Sequence, residues 1–443
     1  MKLLLYMSML LWFNMINKNK NFILLMVYML LSVFLIMPMI SMNEWMGQYM
    51  MIAMDNYSLI FIFLSIMIIC LMFMVSNFIN FKLKYMLNLL IMNLILILCF
   101  SMMNYLYFYL FFEFSLIPMF YLIMGWGYQN ERINATMYMM FYTLFMSLPL
   151  LMLIFMMLNY FNSLSYYYMM YNIMYIKTLP SMLFYMFMII PFLVKLPMFM
   201  FHSWLPKAHL EAPVSGSMLL AGVMLKLGAY GMIRTMFMML NYAKNYNFIF
   251  MILSIFGAVI LSAYCLVQID MKLIVALSSV VHMSMGLIGL MSMMKFGVLG
   301  GFLMMFGHGL CSSGMFYLIQ MNYEKLKSRN MFINKGTQYY HPTLMMWWFL
   351  FCMVNMSAPI SLNLISEIFI MNSFIYWLYE FLMFMMIMMF LCTVYNLYLY
   401  SFMNHGYNFN IMKINIMKLM NYLILFIHWM PTNILMLKLK FLI

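Results

Sequence analysis

Six ionisable residues, Glu113, Lys195, Lys226, His282, His308 and Glu367, interrupt long apolar runs in this 443-residue sequence. They are the residues best placed to do chemistry. A charged or titratable side chain at membrane depth is costly, and such residues line bundle interiors, wet cavities and ion or proton paths. Glu113, in YFYLFFEFSLIP, has no other ionisable group near it in sequence. A carboxylate in such surroundings calls for a partner, most simply a lysine from another run; an interfacial or helix-pairing carboxylate is the bland alternative. Lys195 and Lys226 are the candidate partners. Burial favours a neutral amine and a nearby carboxylate a charged one, so a lysine beside a switchable Glu can take up and release a proton. Snorkelling to a helix end, or a fixed ion pair, are the structural alternatives. His282 (SSVVHMSMG) and His308 (FGHGLCSSG) have Ser278, Ser279, Ser284, Ser312 and Ser313 close by in sequence. Either histidine alone could be a hydrogen-bonded core residue; together with the serines they read as a hydrated polar path for protons.

Proline marks the elements that must position these groups. Pro191 and Pro197 bracket Lys195, and Pro206 and Pro213 follow with His202, Lys207, His209 and Glu211 between or beside them. Pro359, in NMSAPISLNLISEIF, precedes Glu367. Proline removes a backbone donor and breaks or kinks a helix. Two interrupted spans, each carrying an ionisable group, are a mark of internally repeated transporters. Fourteen apolar runs read as helices, near 2–13, 22–40, 57–76, 86–104, 105–127, 134–160, 181–205, 213–237, 246–267, 273–294, 297–320, 343–371, 374–402 and 411–432. The broken runs are the seventh and the twelfth. Their separation suggests two five-helix repeats, 86–237 and 246–402, within a single membrane domain, 1–443. The glycines of SMGLIGL, GVLGGF and MFGHG suit close helix packing.

Composition restricts the class. The chain is 68% hydrophobic and 7% charged, with mean hydropathy +1.00, too apolar to cover a water-facing surface. It reads as an all-α polytopic membrane protein, since a helical span needs roughly 20 apolar residues and the runs lack the period-two alternation of barrel strands. The formal charge of +13 does not point to nucleic acid, because the basic residues stand singly at the ends of apolar runs. Loops that parity places on one side collect 13 of them, including Lys325, Lys327, Arg329 and Lys335. Those on the other collect seven, including Arg234, Lys244 and Lys295. The richer side is expected to be the inner compartment. The six cysteines lie in separate apolar runs with no CxxC and no Cys/His cluster, which argues against a disulfide framework or a metal site. The 71 methionines are spread over nearly every run, as in an AT-rich organellar gene whose code reads AUA as Met. Met1 leads directly into an apolar run, so no cleavable targeting segment is expected. No nucleotide loop, HExxH or nucleophile elbow occurs.

The stretch from Val194 to Gly231, QIDMKLIVALSSVVHM (268–283), FGHGLCSSGMFY (306–317) and FEFSLIPMFYLIMGWG (112–127) resemble the antiporter-like membrane subunits of respiratory complex I, NADH:ubiquinone oxidoreductase. LPKAHLEAP (205–213) is shared with the related multisubunit sodium/proton antiporters, whereas QNERINA (129–135) and NYEKLKSR (322–329) favour the complex I branch. The resemblance covers about the whole chain and is most specific from the fourth run to the twelfth. It implies about 14 transmembrane helices in two inverted five-helix repeats, with helices 7 and 12 broken. It implies a proton path in which Glu113 pairs with Lys195, Lys226 is central, His282 and His308 lie on the connecting axis, and Glu367 is terminal. Glu367 is a departure, since other antiporter-like subunits carry lysine there. The family further implies a multi-pass subunit of the mitochondrial inner membrane, surrounded by neighbouring antiporter-like chains, accessory subunits and lipids, with protons as cargo. NADH, FMN, iron–sulfur clusters and ubiquinone are then expected in other subunits and no cofactor in this chain. A separate cation/proton antiporter and a scaffold bundle with purely structural charges are the rival readings.

Overall fold

A computed structural model describes residues 46–49, 51–76, 82–172, 181–406, 418–437 and 439, together with Tyr6, Met9 and Leu10. The second expected run (22–40) and nearly all of the first (2–13) lie outside the described residues, as do Lys18, Lys20, Lys177 and Lys413. A short antiparallel hairpin, β1 (Met46–Tyr49) and β2 (Ile52–Met54), precedes the helices; no sequence signal for it was evident. Ten described helices are long and apolar enough to cross a membrane, and two shorter apolar ones accompany them.

The chain forms two compact units, one of Met1–Lys195, Glu211–Asn245 and Lys440–Ile443, the other of Leu196–Leu210 and Tyr246–Leu439. The first holds α1 (Asn56–Val75), α2 (Lys82–Ser101), α3 (Tyr105–Phe114), α4 (Leu116–Trp126), α5 (Arg132–Phe161), α6 (Tyr166–Asn172) and α7 (Ser181–Lys195). After the segment that belongs to the other unit, which carries α8 (Trp204–Glu211) but for its last residue, the first unit resumes. It adds α9 (Val214–Leu219), one π turn (Leu220–Met224) and α10 (Leu225–Met238). Asp55 starts α1 with a reciprocal cap: its Oδ1 accepts from Ser58 N at 3.0 Å, and Ser58 Oγ accepts from Asp55 N at 2.8 Å. The 105–127 run divides at Ser115, directly after Glu113 and Phe114. Pro118 has no N–H for the Phe114 carbonyl, and the Ser115 hydroxyl bonds the Phe112 carbonyl at 2.6 Å.

α7 stops at Lys195 because Pro197 cannot donate to Leu193 O and drives Leu196 out of helical geometry. Pro206 does not end this run. It lies in the first turn of α8, where a missing N–H costs no helical bond.

The second unit holds α11 (Leu240–Val267) from Tyr246 onward, α12 (Met271–Met291) and α13 (Lys295–Leu326). It continues with α14 (Thr337–Tyr340), α15 (Pro342–Asn355), α16 (Leu362–Trp377), α17 (Leu382–Asn404) and α18 (Leu419–Leu437). Glycines let α12, α13 and α16 approach backbone to backbone. A Cβ on Gly289 would stand 2.7 Å from Gly297 O, and one on Gly300 would stand 2.9 Å from Ser366 O. The expected break at Pro359 separates α15 from α16. Ser357 and Ile360 take left-handed φ angles of 54° and 73° there, and Met200 takes 82° in the other break. Backbone strain of this kind persists where its surroundings enforce it. Two cations hold the segment before α9 within this unit: Lys272 Nζ and Arg329 Nη1 both donate to Leu210 O, at 3.2 and 2.9 Å.

Candidate proton-handling site

In the first unit, α3 supplies Glu113 and the end of α7 supplies Lys195. Lys195 is 3% exposed. Its Nζ donates to Phe112 O at 2.8 Å and lies 3.1 Å from the centre of the Phe112 ring. The expected partners are therefore brought together through the peptide group next to the carboxylate, and Lys195 makes no direct ion pair with Glu113. Both Glu113 carboxylate oxygens are buried without a hydrogen-bond partner among the described residues. Ser147 on α5 faces the carboxylate, but its hydroxyl donates to Leu144 O at 3.1 Å. The Lys195 ammonium thus rests on the backbone one residue before a carboxylate that has no hydrogen-bond partner among the described residues.

Lys226 is fully buried. It opens α10 immediately after the π turn, in which Leu225 N–H reaches Leu220 O, five residues back. Regular α spacing would send that N–H to Ala221 O. The Lys226 ammonium donates to Ala221 O at 2.5 Å. A π turn inserted in an α-helix commonly sits at a functional site, and here it stands beside the lysine the sequence singled out.

The second unit gathers His282, His308 and Glu367. The two imidazole rings, from α12 and α13, lie 5.4 Å apart. Tyr395 of α17 brings its hydroxyl to 3.3 Å from His282 Nε2 and also donates to Cys392 Sγ at 3.7 Å. Cys392 is within electrostatic reach of Glu367, and Glu367 accepts a short hydrogen bond from Ser357 Oγ in the break between α15 and α16. His308, His282, Tyr395 and Cys392 thus lie together in one unit, which also holds the Glu367–Ser357 pair. The serines behave otherwise than expected. Ser278, Ser279, Ser284, Ser312 and Ser313 each donate to a carbonyl of their own helix, at 2.6 to 3.1 Å. Their hydroxyl hydrogens are committed, and only their oxygens face outward as acceptors.

Sequence reasoning missed Tyr395, Ser357 and Ser147, uncharged polar residues of kinds that recur through the apolar runs, with no pattern to single them out. It also missed a buried ion pair. Arg234, counted among loop charges, is 4% exposed and bonds Asp55 Oδ1 at 2.6 Å.

The family described as NADH:quinone oxidoreductase/Mrp antiporter, transmembrane, matches residues 101–395. The chain belongs to this family. Among its relatives, an NADH-ubiquinone oxidoreductase chain 4 from Ceratitis capitata is 45% identical over 365 residues, 82% of this chain and 81% of that one. Another chain 4, from Apis mellifera ligustica, is 40% identical over 432 residues, covering 96% and 94%. A chain of respiratory complex I from Thermus thermophilus, solved with bound NADH, superposes with a TM-score of 0.87 at 17% identity, over 98% of this chain and 94% of that one. The antiporter-like helical fold is thus common to the quinone-oxidoreductase/antiporter family and this chain.

Proposed function

We propose that the chain is a proton-translocating core subunit in the membrane arm of NADH:ubiquinone oxidoreductase, in the mitochondrial inner membrane. Electron transfer from NADH through FMN and iron–sulfur clusters to ubiquinone belongs to other subunits in this reading, and neighbouring antiporter-like chains flank this one. The observation that carries it is the buried Lys195 ammonium held on the carbonyl beside Glu113. That arrangement has two low-cost states, ammonium on carbonyl and ammonium on carboxylate. In the first, Glu113 is free to hold a proton; in the second, the carboxylate is ionised and paired, and its proton has moved on. Lys226, bound to Ala221 O within the widened turn, is the central store. The His308–His282–Tyr395 group and Glu367 serve the second unit, and the repeats 86–237 and 246–402 give each half its own broken helix. Moving one charge against the membrane potential costs about 2.3 kcal/mol per 100 mV, so the cycle requires an external driver.

The family also contains antiporters, and two relatives named as oxidoreductase chains favour the first reading. Co-purification of the chain with flavin- and iron–sulfur-containing subunits distinguishes the two. The mechanistic test is Lys226→Ala in the assembled complex, measured in inner-membrane vesicles. NADH oxidation with a reduced number of protons moved per electron is expected. Full proton stoichiometry in the variant would refute the role given to Lys226.

A further inference from the structure

Among the described residues, the Arg234–Asp55 pair is the one ion pair, and the proton path above does not use it. Lys226, Tyr230 and Arg234 follow one another at i, i+4 and i+8, along one face of α10. This polar stripe runs about 12 Å, from the π turn to the point where Asp55 caps α1. Such a stripe could carry protons, but its chemistry is wrong for that. Tyr230 donates its only hydrogen to Phe100 O at 2.8 Å, and its oxygen accepts from Arg234 Nη2 at 2.9 Å. The acceptor side of the phenol is therefore turned to a guanidinium, which does not give up its proton in proteins. At Tyr230 a proton arriving from Lys226 finds the hydroxyl hydrogen committed to Phe100 O and the oxygen engaged by Arg234.

The surroundings exclude water as well as protons. Phe100, Phe108 and Phe61 enclose the Tyr230 ring, with centroids at 5.2, 5.7 and 6.2 Å. Apolar constrictions of this kind dewet, and a fixed arginine repels cations. The arginine is itself immobilised. Its Nη2 is shared between Asp55 Oδ1 and Tyr230 Oη, its guanidinium lies 4.6 Å from the Tyr230 ring, and the same Asp55 oxygen is fixed by the α1 cap.

We propose that Arg234, held by Asp55 and Tyr230, is an electrostatic seal that closes this end of the α10 stripe and keeps Lys226 from exchanging protons past Asp55. Arg234 is a positioning and excluding residue, not a carrier. The inference rests on the reading of Lys226 as a proton store.

The test uses inner-membrane vesicles containing the assembled complex, with passive proton flux measured at an imposed pH difference and pumping measured during NADH oxidation. The double variant Arg234→Met/Asp55→Asn removes both charges and leaves neither orphaned. It is expected to oxidise NADH but to leak protons about tenfold faster, the scale set by a unit charge at this range in a medium of intermediate dielectric. Arg234→Lys keeps the positive charge and should restore tightness. Asp55→Asn alone leaves the arginine in place and should also stay tight, and this variant decides the question if the double variant fails to assemble. A double variant as tight as wild type overturns the seal, as does an Asp55→Asn that leaks or that loses pumping without leaking, the mark of a relay. Lys226→Ala is measured in parallel. If it pumps normally the underlying reading fails; if it loses pumping while the double variant stays tight, the seal alone fails.

Discussion

The Lys195 ammonium rests on the Phe112 carbonyl, one residue before Glu113 in the chain, and not on the Glu113 carboxylate. The kink at Ser115 and the stop at Pro197 end α3 and α7 at these two side chains, so the charge switch sits where helical backbone has already been released. The positions of Glu113, Lys195, Lys226, His282, His308 and Glu367 were legible, since charge in apolar sequence is conspicuous. Their partners were not. A carbonyl such as Phe112 O or Ala221 O leaves no trace in residue type, and Asp55 looked like an ordinary loop residue. The tightness of this region also gives a stability prediction. A Cβ on Gly231 would meet Phe192 Cε1 at 2.2 Å, and Phe192 is fully buried with Phe112 and Phe108 rings 5.4 and 6.1 Å away. Gly231→Ala should therefore destabilise the chain by roughly 1–3 kcal/mol. The amount of assembled complex and its thermal inactivation midpoint would both fall.

At the scale of elements, the broken runs were readable because each joins a proline to an ionisable residue; proline alone marks no break, since α5, α7 and α18 run through Pro149, Pro191 and Pro431. The π turn at Leu220–Met224 was not, since LAGVM carries no residue that demands a wide turn; Lys226 bonds Ala221 O within it. The hairpin before α1 is equally silent in sequence, its strands being only four and three residues long. The junction of α13 and α15 supplies a pH prediction. His341, just before α15, is in direct contact with Lys325 of α13. Burial first, and then the Lys325 charge, hold its imidazole below the ordinary 6.5. The opened junction therefore binds more protons than the closed one below that value, and closure weakens as pH falls. Its stability is complete above about 6.5 and is lost on acidification beneath it. Hydrogen exchange of the backbone around 337–345, corrected for its intrinsic pH dependence, should accelerate between pH 7.5 and 5.5. His341→Gln should flatten that response.

For the molecule as a whole, hydropathy alone found the described spans, because lipid requires long apolar helices, but not their ends: α11 begins at Leu240 and not 246, α13 runs to Leu326 and not 320, and α18 covers Leu419–Leu437 and not 411–432. Charge counting was less faithful. Arg234 and Lys272 were assigned to loops and are buried, the first against Asp55 and the second on Leu210 O. The remaining bias still makes a topological prediction. Cysteine placed at Lys327 should react with an impermeant thiol reagent from the inner compartment, and cysteine at Lys244 or Lys295 from the opposite side. The native cysteines are all buried, so background labelling should be low. Reaction of all three sites from one side would overturn the arrangement.

The chain path limits where the gene can be divided. The polypeptide leaves the first unit at Lys195, contributes Leu196–Leu210 to the second, and returns at Glu211. A gene cut between Asn245 and Tyr246 would give one fragment carrying fifteen residues that complete the other. Neither product would be a finished half. Fission at that point would have to be rescued by co-expression of the two fragments.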